Sequence, residues 1–383
     1  MSRLGTESAF EVLVHARELE ARGKEIIHLE IGEPDFATPG HIVEAAARAL
    51  RDGWTHYGPP AGLPELREAV AEYEARRLGV PVDPAEIVVT PGGKPILFFT
   101  ILALVDQDDE VLYPNPGFPI YESMINFVGG RPVPYSLPEG RDFDVDAAEI
   151  VDKITDRTRL IILNSPHNPT GGVMSRDSVA SLAQALAGHE IFVLSDEIYH
   201  RLIYEGEHVS LTQFPGMKEW SIILNGFSKA YAMTGWRVGY AAAPGEIIAA
   251  MTKIHQYTMM CASTMGQVAA LEALKGEQDC VREMVDDYNR RRKVIVKGLC
   301  DIGLSCFEPK GAFYAFPSVR ATGMTSEEFA ETLLEEEKVA VVPGSAFGVC
   351  GEGYVRCSYA TSLANIEEAL KRMKRFVQRH KKA

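Results

Sequence analysis

Cysteine is scarce in this chain. Its six residues (Cys261, Cys280, Cys300, Cys306, Cys350 and Cys357) fall among 383 with no CxxC pair. That spacing argues against a zinc ribbon or a disulfide scaffold and suits reduced thiols in a reducing compartment. No apolar run reaches the ~18 residues needed to cross a bilayer, so no membrane partner is expected. The opening MSRLGTESAF lacks the apolar centre of a secretory leader, and a cytoplasmic location is the expectation. Positive charge is also in deficit. Lys and Arg number 39 against 53 Asp and Glu, a net −14 that nucleic-acid phosphates would repel. The basic runs at 290–293 and 371–382 lie in helix-like segments, where solvated faces account for them. Repeats, low-complexity tracts and long linkers are missing too, and a composition of 46% hydrophobic and 24% charged residues excludes a disordered or fibrous chain.

What the chain does have is a succession of short apolar runs separated by helical patterns. Strands are expected at 86–90, 110–113, 131–135, 159–163, 191–195, 221–224 and 237–241. Several are apolar throughout, as a parallel sheet covered on both faces requires. The fold class is therefore α/β, with a mixed, mostly parallel, doubly wound sheet. The last hundred residues change character. A long helix is expected at 279–299, the Thr325-x-x-Glu328 capping box opens another, and Ile366, Ala369, Leu370, Met373, Phe376 and Val377 share one stripe of a third. The length exceeds what one core serves, so a large domain is expected at 40–278, a smaller α+β domain at 279–383, and an N-terminal arm at 1–39 packing with the latter.

Ligands of open α/β sheets bind outside the carboxyl ends of the strands. Three apolar runs end in polar residues: LIILN leads into Ser165–Gly171, IFVLS into Asp196-Glu197-Ile198-Tyr199, and SIILN into Gly226-Phe227-Ser228-Lys229. If these strands share a sheet, an amide, a carboxylate, a phenol and a lysine meet at one rim, a set suited to holding a cationic ring nitrogen and forming a Schiff base. A fourth run, EIVVT, enters Pro91-Gly92-Gly93-Lys94-Pro95 and then an apolar helix, which offers bare amides to an anion. The GxxxxGK[ST] of a P-loop is absent.

Four motifs together carry a family resemblance: Tyr57-Gly58-x-x-x-Gly62-x-x-x-Leu66-Arg67, His167-Asn168-Pro169-Thr170-Gly171, Ser195-Asp196-Glu197-Ile198-Tyr199, and Ser228-Lys229-x-x-x-Met233-Thr234-Gly235-Trp236-Arg237-x-Gly239-Tyr240. In that order, and from Gly32-Glu33-Pro34-Asp35-Phe36 to Arg356-Cys357-Ser358, the chain resembles the class I/II aminotransferases, fold type I of the pyridoxal-phosphate enzymes. The Gly92-Gly93-Lys94 spelling is similar to the aspartate aminotransferase subgroup.

The resemblance implies pyridoxal 5'-phosphate as cofactor and a role for each matching residue. Lys229 would hold the cofactor as a Schiff base and shuttle the proton. Asp196 would pair with the pyridinium nitrogen, and Tyr199 and Asn168 would bond its phenolic oxygen. Phe118 would stack on the ring. Gly92, Gly93 and Lys94 amides with Arg237 would hold the phosphate. Many relatives carry a serine at the position of Gly226, and Ser228 is the hydroxyl left on that side. Arg356 would grip the substrate α-carboxylate, with Gly32 adding a backbone donor. Tyr57 would reach a neighbour's cofactor phosphate, which implies a homodimer with shared sites.

The expected activity is ping-pong transfer of an amino group from an L-amino acid to a 2-oxo acid such as 2-oxoglutarate. Acidic donors such as aspartate are favoured, with the Lys94 side chain reading the distal carboxylate and Ser263 as a second contact. Aromatic or aliphatic donors are the alternative, and a β-lyase on the same scaffold is the rival chemistry. An effector-sensing module of a transcription factor is disfavoured, because no DNA-binding domain precedes Gly32.

Overall fold

The computed structural model describes Leu4 and residues 8–380; residues 1–3, 5–7 and 381–383 of the expected arm and small domain lie outside it. Helix Ser8–Ala21 leads into a two-residue strand β1 (Ile27–His28). Seven strands then build the main sheet: β2 (Ile87–Thr90), β3 (Glu110–Asn115), β4 (Arg131–Ser136), β5 (Thr158–Asn164), β6 (Phe192–Asp196), β7 (Ser221–Gly226) and β8 (Gly239–Ala242). Their order is β2-β8-β7-β6-β5-β3-β4.

The apolar runs form strands because both faces of the sheet are covered. Leu160, Ile161, Ile162 and Leu163 of β5 are all fully buried. Leu160 and Ile162 pack with Ile96, Phe99, Tyr121 and Met251, whereas Ile161 and Leu163 pack with Ile150, Val179 and Leu182. Alternate side chains thus serve opposite layers of helices, which is why the run shows no polar alternation.

β3 to β7 pair in parallel. β8 alone runs against its neighbours β7 and β2. Antiparallel neighbours need no crossover helix, so the chain returns from β7 to β8 through the loop 227–238. That reversal has a functional consequence. Lys229, just after β7, and Arg237, just before β8, come to the same edge. The strand expected from 237 begins two residues later, because Arg237 has a left-handed φ of 54°.

Beyond the main sheet lie β9 (Tyr314–Ala315), β10 (Val339–Ala340), β11 (Val342–Pro343) and β12 (Val355–Ser358). β12 is the centre of a small antiparallel sheet between β11 and β9, and β10 pairs in parallel with β1. Helices Asp279–Asp301, Ser326–Glu337 and Leu363–His380 pack around them. Both halves of the Thr325–Glu328 capping box are made. Ile366, Ala369, Met373, Phe376 and Val377 are buried as one face. One apolar cluster runs from Val89 and Ile223 in the main sheet through Tyr199 and Phe313 to Val339 and Phe376. No helix among the described residues is long and apolar enough to cross a membrane.

Candidate active site

The strand ends set the site. Register places Asn164 of β5 beside Asp196 of β6, and Asp196 beside Leu224 of β7, so the three polar exits follow one another along the rim. Asp196 is buried, and burial pushes its carboxyl up to about 6. The Tyr121 hydroxyl donates to its Oδ2 at 2.7 Å and the Ile198 amide to its Oδ1 at 3.3 Å, both favouring the anion. Both donors are neutral, so the site keeps an acidic group whose charge is available to a cationic partner.

Lys229 sits on the loop after β7, and its Nζ donates to the Gly32 carbonyl at 2.6 Å. Gly32 therefore meets the lysine through its oxygen. Burial is the chief reason the Lys229 ammonium is pulled down to about 8, with Arg356, Arg237 and Lys94 adding to the effect while Glu33 opposes it. The Tyr199 and Phe313 rings lie 5.8 and 5.7 Å from Nζ. An amine held near neutrality in this way is a nucleophile and a proton carrier at physiological pH.

On the other flank of the rim, Gly92 has φ +90, and a Cβ there would come within 2.3 Å of Arg237 Nη2. A Cβ on Gly239 would meet the Gly92 carbonyl carbon at 2.7 Å. The turn thus lies directly on β8, and the guanidinium lies directly on the turn. Arg237 donates to the Thr234 and Pro91 carbonyls at 2.9 and 3.3 Å and is otherwise exposed. Helix Lys94–Leu104 starts here, so its first amides point at the same space. Gly226 pairs with Gly239, where a Cβ would sit 2.9 Å from the opposite Cα; the close approach of β7 and β8 leaves no room for a serine. Ser228 is buried beside Lys229. Phe118 is half-buried, edge-on to Tyr121 at 5.9 Å, and the exposed Lys94 places its Nζ 5.7 Å from the Phe118 ring.

Arg356 comes to the rim from β12. Its Nη1 donates to Asn168 Oδ1 at 3.0 Å and its Nη2 to the Glu30 carbonyl at 2.5 Å. Its Nε is buried and has no hydrogen-bond partner among the described residues. A buried, unpaired donor on a charged group is costly unless something binds it, which marks a place for an anion. Asn168 is buried at the same point, its amide bonded to Asn164 Oδ1.

Two expected contributors stand apart. Tyr57 is 84% exposed, on a segment packed against helix Thr264–Lys275 through Thr264 Oγ1 donating to the Trp54 carbonyl at 2.8 Å. Ser263 is the N-cap of that helix, its Oγ accepting the Gly266 amide, and it lines a cavity of about 520 Å³ with Glu33, Phe36, Thr38, Trp236 and Met265.

Sequence reasoning missed what supports these groups. Tyr121 is one turn beyond Phe118 on helix Ile120–Val128, and its spacing from the Asn115–Phe118 segment was a usable signal. Tyr314, whose hydroxyl lies 2.7 Å from that of Tyr199, has no such signal. Behind the rim, buried Glu197 pairs with Arg77 at 2.6 Å, and Arg77 with Glu74 at 2.5 Å. Glu74 also accepts from Asn225 and Tyr240, tying the ends of β6, β7 and β8 to helix Pro64–Leu78. No metal-binding cluster exists among the described residues.

The arrangement fits pyridoxal phosphate. The glycine turn that a Cβ would fill, the buried amine, the buried carboxylate and the guanidinium Nε are of the chemical types that a phosphate, an aldehyde, a ring nitrogen and a carboxylate would call for. The family described as aminotransferase class I and II matches residues 24–373. The chain is 46% identical to an aspartate aminotransferase of Pyrococcus abyssi over 95% of each chain. It is 43% identical to aromatic-amino-acid aminotransferase 2 of Thermococcus litoralis, over 93% of this chain and 92% of that one. The solved aspartate aminotransferase from Thermus thermophilus with maleate superposes at a TM-score of 0.93 with 41% identity, covering 98% of each.

Proposed function

The chain belongs to the class I and II aminotransferases and is a pyridoxal-phosphate-dependent transaminase, and from that premise we propose that it moves the amino group of an acidic L-amino acid such as aspartate to 2-oxoglutarate. The observation that carries the reaction is Lys229, a near-neutral amine between a buried carboxylate and a guanidinium with an unpaired donor.

We assign the roles accordingly. Gly92 and Gly93, the Lys94 amide and Arg237 would hold the cofactor's phosphate, with Ser228 beside them. Phe118 would cover its ring, Asp196 would face its ring nitrogen, and Tyr199 with Asn168 its phenolic oxygen. Bound there, the cofactor supplies an aldehyde that condenses with amines and a cationic ring that accepts electrons from Cα. Arg356 orients the substrate by its α-carboxylate, so that the Cα–H faces Lys229. Lys229 Nζ then takes the Cα proton and later returns one. Asp196 must stay ionised while this happens, and Tyr121 helps to keep it so. Tyr121→Phe removes a hydrogen bond to a charged group, so the acid limb of kcat/KM should move up by about one pH unit or more. A pH profile that coincides with wild type would contradict that role.

The acidic preference rests on Lys94, whose ammonium lies over Phe118 and lowers the Lys229 pKa through space. A distal carboxylate placed beside that ammonium would gain a charge-assisted contact that an apolar side chain cannot make. Lys94→Ala should therefore lower kcat/KM for aspartate relative to phenylalanine by about tenfold or more. An unchanged ratio would favour aromatic donors, which the Thermococcus relative's name makes the second reading.

We further propose a cytoplasmic homodimer with shared sites. Exposed Trp54, Tyr57, Tyr257, Met259 and Met260 lie on the segments flanking the Thr264–Trp54 contact, an apolar area suited to a second copy. Neither Lys229→Ala nor Tyr57→Ala alone should be fully active. Mixed and reassembled, they should regain activity, because one hybrid site has both residues. Mixtures no more active than the sum of the two would contradict sharing.

A further inference from the structure

Tyr314 has no part in the roles assigned so far, yet three of their contacts meet on it. It is 1% exposed on β9, opposite Ser358 on the strand that carries Arg356. Its hydroxyl is 2.7 Å from the Tyr199 hydroxyl. Its ring lies under the Arg356 guanidinium, whose Cζ is 4.5 Å from the ring centroid. On its third side, a Cβ at Gly32 would come within 2.0 Å of the Tyr314 oxygen and 3.0 Å of its Cζ.

We infer that Tyr314 is a positioning residue that sets the Tyr199 hydroxyl and the Arg356 guanidinium together, and that position 32 is glycine to admit it. The inference rests on the proposed roles of Tyr199 and Arg356. A phenol has one proton, so if Tyr199 donates it outward to an oxygen anion, its oxygen can only accept in the contact with Tyr314. Tyr314 is the neighbour placed to supply that proton, and a hydroxyl that accepts is a stronger donor. The ring does a second task. It closes one face of a guanidinium whose other close ring is Phe347, at 5.1 Å, and so fixes the plane in which a carboxylate is gripped.

The two tasks separate by mutation. In Tyr314→Phe the ring stays and the hydroxyl goes. The charged groups that act on the Tyr199 and Tyr314 phenols, Asp196 and Arg356, and Lys229 beside the Tyr199 ring, are unchanged. Weakened donation by Tyr199 disfavours an anion on the cofactor's phenolic oxygen. The pH midpoint of the holoenzyme's visible absorption change should therefore rise by about 0.4 to 1 unit, the size of one neutral hydrogen bond. KM for the amino acid should stay within about twofold, since the ring still supports Arg356. Tyr314→Leu should show the same rise together with a KM increase of about threefold or more. In the apoprotein, Gly32→Ala should lower Tm by several degrees and lose less in the Tyr314→Phe background. Identical midpoints in wild type and Tyr314→Phe, or a Gly32→Ala loss that the phenylalanine does not relieve, would overturn the inference. A wild type without a titrating visible band would instead fail the reading of Lys229, and the inference with it.

Discussion

Replacing Lys229 by alanine should lower transamination by about four orders of magnitude, the upper end of what one positioned acid-base group supplies, because in the proposed role the same atom would also hold the cofactor. The apoprotein should keep its fold. Burial depresses the Lys229 ammonium, so its charge is a cost to the folded state, and its hydrogen bond to the Gly32 carbonyl ends on a neutral group. An apoprotein Tm equal to or slightly above wild type, together with loss of the visible band, separates a chemical role from a structural one. A variant with a large loss of Tm and residual colour would place the lysine in the scaffold.

The second large effect belongs to Arg356. In its proposed role, truncating it would remove a buried, charge-assisted grip on a group that every amino acid and 2-oxo acid carries. Such losses run to about 2–5 kcal/mol, which is about 30-fold to several thousandfold in kcat/KM. Because the α-carboxylate is common, aspartate and phenylalanine should suffer alike and their ratio should hold. A changed ratio with unchanged overall affinity would mean that Arg356 reads side chains and that another group holds the carboxylate. Lys94→Ala predicts the opposite pattern, so the two variants test one division of labour.

The sheet was legible in the sequence because its strands are buried on both faces. Runs such as 159–163 have one pattern available to them, and the residue after each run is where a parallel sheet places its ligands. The direction of β8 was not legible, since a four-residue strand reads alike in either sense and only the loop 227–238 decides it. The rim residues could be named from motifs, but their partners could not. Tyr121 reaches Asp196 across 75 positions and Tyr314 reaches Tyr199 across 115, and spacing along the chain says nothing about contacts of that range. Gly226 is instructive in the same way. It read as a departure from relatives, and the structure gives the reason, since β7 and β8 approach too closely at Gly239 for any side chain.

The most direct measurement is reduction of the yellow holoenzyme with mild borohydride, followed by peptide mapping of the pyridoxyl adduct. The expected product carries one modified residue, Lys229, in the peptide that contains Phe227 and Ser228. An adduct on Lys94 or Lys253, with Lys229 recovered unmodified, would contradict it.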